Sequence, residues 1–124
     1  MRPKVTFGAV ANIFTRLMNF EKAGDEMQGH YHTYDHLTLL ASGSVKVIVD
    51  EQETTFTAPH MIYIRADKKH TLIALEDKTV ACCIHAIRDK DTGDIVEPNM
   101  IPNGVSHRGH YVPYANKESD IEEI

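Results

Sequence analysis

The chain has 124 residues, of which 42% are apolar and 25% are charged, and its formal net charge at pH 7 is −5. This length suits one domain with its own core, and the acidic balance argues against general nucleic-acid binding, which needs a basic surface. Because no segment reaches the roughly 20 apolar residues of a membrane span, and no polybasic patch or signal-peptide pattern is present, we expect a cytoplasmic protein without membrane partners.

Short runs of alternating apolar and polar residues, separated by turn residues, follow one another along the chain and predict an antiparallel sandwich or barrel. No amphipathic helix of three or more turns is predicted. The predicted strands cover residues 12–20, 28–34, 36–41, 45–49, 53–57, 61–64, 70–75 and 79–87.

The pattern fades after residue 89, where glycine, proline and asparagine become frequent. We therefore expect one all-β domain over residues 1–124. Its barrel core covers about residues 12–88, preceded by an N-terminal arm at 1–11 and followed by an irregular C-terminal tail at 89–124.

The two cysteines, Cys82 and Cys83, are adjacent in a predicted strand. Neighbouring strand residues point to opposite faces, so a disulfide between them would be strained. We expect two reduced, buried thiols.

Eight histidines in a chain this short are the most unusual feature of the composition. His30 and His32 are two apart, so they share a strand face, and His36 and His70 begin two later predicted strands. Imidazoles that converge from several strands suit iron, zinc, nickel, copper and cobalt. The sequence therefore predicts one divalent transition metal on these four histidines.

The order of these residues resembles the first motif of the cupin superfamily, usually written G-x5-H-x-H-x3,4-E-x6-G. The chain has Gly24, His30, His32, His36 and Gly43 at the matching spacings. One residue departs from the motif, since His36 stands where the family usually has glutamate.

The second cupin motif, usually G-x5-P-x-G-x2-H-x3-N, matches less well. The same frame begins at Pro59, reaches His70 at the histidine position and ends at Ala74. Only the histidine and the spacing agree with the family.

The resemblance implies a cupin double-stranded β-helix, a jelly-roll-like barrel with a metal inside its mouth. By position, His30, His32 and His70 would be ligands. His36 would be either a fourth ligand or a residue that orients substrate or bound water. Iron is the first candidate metal, with nickel, zinc, manganese, cobalt and copper as alternatives.

Four further residues are candidates for substrate chemistry. Tyr34 alternates in phase with the first histidines and is either a proton donor or a packed rim aromatic. His85 lies in an apolar strand, either as a core residue or as a catalytic one. Tyr63 and Arg65 flank the second motif, and Arg65 is either a carboxylate partner for substrate or a surface ion pair.

Cupins carry many activities, so fold resemblance alone does not select one. An all-histidine site resembles those of cupin dioxygenases, and we expect a metal-dependent oxygenase that acts on a small molecule. The alternatives are a redox-neutral isomerase, lyase or decarboxylase that uses the metal as a Lewis acid, and a non-catalytic metal-containing ligand-binding module.

Small cupins commonly dimerise, and the resemblance therefore implies a homodimer. The predicted strand at 79–87 and the segment 5–17 also carry more apolar surface than one small barrel buries. We expect the dimer to form partly by exchange of N-terminal strands.

Overall fold

Nine β-strands and no helix make up the described part of the chain, which is residues 1–29 and 34–94 of a computed structural model. Within that part, nothing has the length and apolarity of a membrane-crossing helix. The strands are β1 (Lys4–Val10), β2 (Ile13–Phe20), β3 (Glu26–Gln28), β4 (His36–Ser42), β5 (Ser44–Val49), β6 (Gln52–Thr57), β7 (His60–Ile64), β8 (His70–Ala74) and β9 (Thr79–Ala86).

The strands form two antiparallel sheets. One has five strands in the order β1-β2-β9-β4-β7, and the other has four in the order β3-β8-β5-β6. Buried side chains from both sheets form one apolar cluster that includes Phe20 and Leu40 from the first and Val45 and Leu72 from the second. The predicted all-β fold is confirmed.

Burial alternates along the strands, so one strand can contribute residues both to the apolar core and to a group of buried polar side chains. Along β9 the buried residues are Thr79, Ala81, Cys83 and His85, and the residues between them are half-buried. Successive side chains of a strand point to opposite faces. The same inward row therefore begins in the apolar core and ends with a thiol and an imidazole.

The structure adds a strand, β1, inside the segment predicted to be an arm. It pairs with β2 of the same chain, with Val5 opposite Met18, and buries Val5 and Ala9. Sequence patterning missed it because Gly8 and Ala9 are weak strand formers. Pairing and burial against β2, rather than local propensity, make this segment a strand.

Two other predicted features, the strand at residues 28–34 and the C-terminal tail, lie partly outside the described residues. Of the strand predicted at residues 28–34, the structure shows Gln28 as the last residue of β3 (Glu26–Gln28) and places Gly29 and Tyr34 outside any strand. Residues 30–33 and 95–124, which include most of the predicted tail, lie outside the described residues.

Both cysteines are free, as predicted. Cys83 is buried, but the prediction that both thiols are buried is wrong for Cys82, which is only partly buried on the opposite face of β9.

Candidate metal centre

Three buried histidines meet at one end of the core. His36 and His70 are the first residues of β4 and β8, and His85 lies near the end of β9. In the β4–β9 register Leu37 is opposite Ile84, so the next position outward places His36 opposite His85. Strand pairing therefore brings together residues that are far apart in sequence.

The imidazole rings are within contact distance of one another. The ring centroids of His36 and His85 are 4.3 Å apart, and those of His36 and His70 are 5.7 Å apart. The possible ligand atoms of His36, Cys83 and His85 all lie within 4.8 Å of one another. These residues are close enough to bind one ion together.

A tyrosine hydroxyl contacts a ring nitrogen of one of these histidines. The hydroxyl of Tyr34 and Nδ1 of His85 are 3.0 Å apart, a hydrogen bond whose direction depends on the tautomer of the imidazole. The ring of Phe14 lies 5.8 Å from that of His85, and Phe14 and Tyr34 belong to a small apolar cluster. Packing and a hydrogen bond together orient His85.

Cys83 lies between the histidines and the core. Its sulfur is 3.3 Å from Oγ1 of Thr38. Burial raises the pKa of the Cys83 thiol, and this effect exceeds the opposing effect of the Thr38 hydrogen bond. Without a metal the residue is therefore a neutral thiol, and with one it is a soft donor beside two imidazoles.

A small cavity of about 20 Å³ opens between these side chains. That is room for an ion or one to two water-sized groups. Its described lining consists of Arg16, Met18, Met27, Gln28, Gly29, His36, His70, Leu72, Cys83 and His85.

Arg16 in this lining is the residue that sequence reasoning missed. It lies on β2 in phase with the buried Phe14, Met18 and Phe20, and its guanidinium carbon is 5.4 Å from the ring centroid of Phe7. Burial lowers the pKa of Arg16. The signal was available, since period two from Phe14 places Arg16 inward.

The structure places some of the predicted site residues in the cluster, and others lie outside the described residues. His36 and His70 are brought together, and Tyr34 and His85 are beside them. The other two predicted metal ligands, His30 and His32, lie outside the described residues, and their role stays a prediction.

Tyr63 and Arg65 line a different cavity, a groove of about 390 Å³ between β5, β6 and β7. The hydroxyl of Tyr63 donates a hydrogen bond to Asp35. This bond, helped by the backbone amide of Ala66, lowers the pKa of Asp35. Neither Tyr63 nor Arg65 lines the histidine cavity among the described residues, and their role toward substrate stays a prediction.

The donor set suits the kind of metal that the sequence predicted. Two imidazoles and a thiol lie within reach of one ion, and a third imidazole is adjacent. Nitrogen and sulfur donors favour transition metals over magnesium or calcium, which prefer oxygen. His36 and His85, with His70 or Cys83 beside them, would hold such an ion.

A family described as the cupin domain, Cupin_2, matches residues 16–87. No match is found among proteins of curated function.

Several solved structures are similar to this chain. A cupin 2 domain-containing protein from Halorhodospira halophila has 21% identity and a TM-score of 0.53 over 59% of this chain and 51% of its own. An RmlC-like cupin protein from Desulfovibrio desulfuricans has 18% identity and a TM-score of 0.58 over 67% and 81%.

An RmlC-like cupin family protein from Methanocaldococcus jannaschii, described as a double-stranded β-helix, has 11% identity and a TM-score of 0.57 over 67% of this chain and 81% of its own. The match to the first of these structures spans only about half of that protein's length, 51%. These likenesses confirm the predicted fold.

Proposed function

We propose that this chain, which belongs to the cupin domain family, is a metal-dependent enzyme that acts on a small molecule, and that its reaction is an oxygenation. The observation that carries the proposal is the buried cluster of His36, His70 and His85 at the end of the core. Nitrogen donors in an enclosed apolar setting suit a transition metal better than calcium or magnesium, which prefer oxygen ligands.

A bound transition metal, with iron as the first candidate, would supply the redox and Lewis-acid chemistry of such a site. The chain's own residues position that chemistry. When Nδ1–H of His85 donates to the oxygen of Tyr34, the lone pair that could bind a metal is on Nε2 of His85. Phe14 and the apolar core behind the cluster limit the access of water.

Oxygen uptake by the full chain tests this proposal. Protein loaded with ferrous iron is mixed with small enols, diketones and short organic acids, and oxygen consumption is followed with an electrode. We expect at least one class to be consumed with stoichiometric oxygen uptake, and no turnover without iron. Turnover that proceeds equally well without oxygen would contradict the oxygenase.

The Tyr34–His85 contact favours a second candidate, a redox-neutral isomerase, lyase or decarboxylase. In the other tautomer of His85 the hydroxyl of Tyr34 donates to Nδ1. His85 and Tyr34 then form an acid–base pair beside the cluster, able to accept or deliver a proton. This chemistry needs no oxygen.

Replacing Tyr34 by phenylalanine separates the two candidates. If Tyr34 orients a ligand, we expect Tyr34→Phe to lower metal affinity by about 10-fold to 100-fold, as the loss of such outer partners does. If Tyr34 transfers protons, metal affinity stays unchanged and kcat falls by about 10²-fold to 10⁴-fold. Our expectation is the first result, measured by competition with a chromophoric chelator. Unchanged affinity would move the assignment to the redox-neutral reaction.

We further propose that the protein forms a homodimer. Leu37 and Tyr63 are directly opposite each other on β4 and β7. On the outer face of the five-stranded sheet, Leu37 is 41% exposed, Met61 is 51% exposed and Tyr63 is 59% exposed. Such a patch favours association. Because β1 pairs with β2 of its own chain, strand exchange would need this pairing to form between chains. Light scattering at micromolar concentration should give the mass of two chains, and a monomeric mass would overturn the proposal.

A further inference from the structure

We propose that Arg16 binds the carboxylate of a small organic acid beside the histidine cluster, and that this acid, or its enolate, is the substrate. The inference rests on the proposed function for its link to catalysis, but the carboxylate site itself can be tested separately.

Arg16 lies beside the histidine cluster. Arg16 is directly opposite Cys83 in the β2–β9 register, and both residues line the same cavity as His36, His70 and His85. Phe7, opposite Arg16 on β1, lies under the guanidinium. A cation–π contact of this kind holds an arginine in place while leaving the edge of its fork available.

The charge of Arg16 lacks compensation within the described residues. None of the acidic side chains there forms an ion pair with Arg16, and its Nε is buried without a hydrogen-bond partner. A cation withdrawn from water is costly unless an anion or hydrogen bonds compensate for it. An anionic ligand would supply that compensation.

The shape of the site selects a carboxylate. The guanidinium presents donors in a planar fork that matches the two oxygens of a carboxylate. The cavity, at about 20 Å³, has room for one to two water-sized groups, which is closer to the two oxygens of a carboxylate than to a bulkier tetrahedral anion. A carboxylate held there would have its attached carbon close to the histidines, where the proposed reaction takes place.

Binding of formate tests the carboxylate site. Formate and its neutral isostere formamide are titrated calorimetrically into the full chain, both metal-free and metal-loaded, and the shift in unfolding temperature is recorded alongside. We expect formate, but not formamide, to bind and to raise the unfolding temperature. Arg16→Met should weaken formate binding by at least about tenfold, and Arg16→Lys should retain part of it because it keeps the charge but loses the fork.

The Arg16→Met variant should fold, because it exchanges a partly buried charge for an apolar chain of similar length. Circular dichroism checks this before any titration. Equal formate affinity in wild type and Arg16→Met would overturn the inference, as would binding of formamide as tight as that of formate, or no formate binding in either metal state.

Metal content measured on the same samples separates this inference from the proposed function. Formate binding that depends on Arg16 in protein unable to take up metal would support the carboxylate site and contradict the metal enzyme. Metal uptake without any formate binding would contradict the carboxylate site and leave the metal enzyme supported.

Discussion

Replacing His36 by alanine should lower the affinity of the protein for a divalent transition metal by more than about 100-fold. Loss of a residue that only hydrogen-bonds to a metal ligand lowers affinity by up to about 100-fold, and loss of a ligand itself should cost more. His36 is the central member of the cluster, since its ring lies 4.3 Å from that of His85 and 5.7 Å from that of His70. Removing it takes away the donor that contacts both neighbours. The affinity is measured by competition with a chromophoric chelator at neutral pH.

His60→Ala is the matched control for this experiment. His60 is exposed at the start of β7 and its ring lies 4.9 Å from that of Phe56, away from the described lining of the histidine cavity. Its loss should leave metal affinity unchanged. A second variant, His36→Asn, keeps more of the side-chain volume, so a loss of metal affinity in this variant as well would not be due to lost packing alone. Equal effects of His36→Ala and His60→Ala would show that the buried cluster is not where the metal binds.

Replacing Gly29 by alanine should destabilise the fold by at least about 3 kcal/mol, the upper range for an overpacked site. A Cβ at Gly29 would lie 1.4 Å from the backbone oxygen of His70 and 2.5 Å from its carbonyl carbon. Backbone atoms cannot rotate away, so β3 and β8 would have to separate. The displacement would also move His70, and metal affinity should fall together with stability.

Gly93→Ala provides the control for this prediction. Gly93 has a φ of +75°, and a Cβ there meets no atom within 4 Å. Only the cost of a left-handed backbone applies, about 1–2 kcal/mol. Chemical denaturation of the two variants gives the comparison. If Gly29→Ala unfolds at the same denaturant concentration as Gly93→Ala, the close approach of Gly29 to His70 is not present in solution.

Local periodicity was sufficient to predict most of the strands, because their inward residues are apolar in a regular alternation. The strand β5 shows this well, since Val45 and Val47 are buried in its middle. The strand β1 was missed because Gly8 and Ala9 are weak strand formers, and its pairing with β2 across a tight turn does not show in its own alternation of apolar and polar residues.

Part of the histidine cluster could also be predicted from the sequence. Motif spacing identified His36 and His70, and the position of His85 in an apolar strand made it a candidate. The contact between His36 and His85 depends on the register of β4 against β9, which periodicity alone does not specify. Arg16 was overlooked because a charged residue in an inward position runs against the usual polarity of a core, although that exception is what makes it informative.

Metal analysis of the full chain, purified without an affinity tag, tests the central claim most directly. Inductively coupled plasma mass spectrometry should find about one equivalent of a transition metal per chain, as expected for one nitrogen-rich site, and iron would support the oxygenase specifically. Protein that contains no metal, and takes up none when iron, zinc, nickel, manganese, cobalt or copper is added, would contradict a metal centre at the histidine cluster.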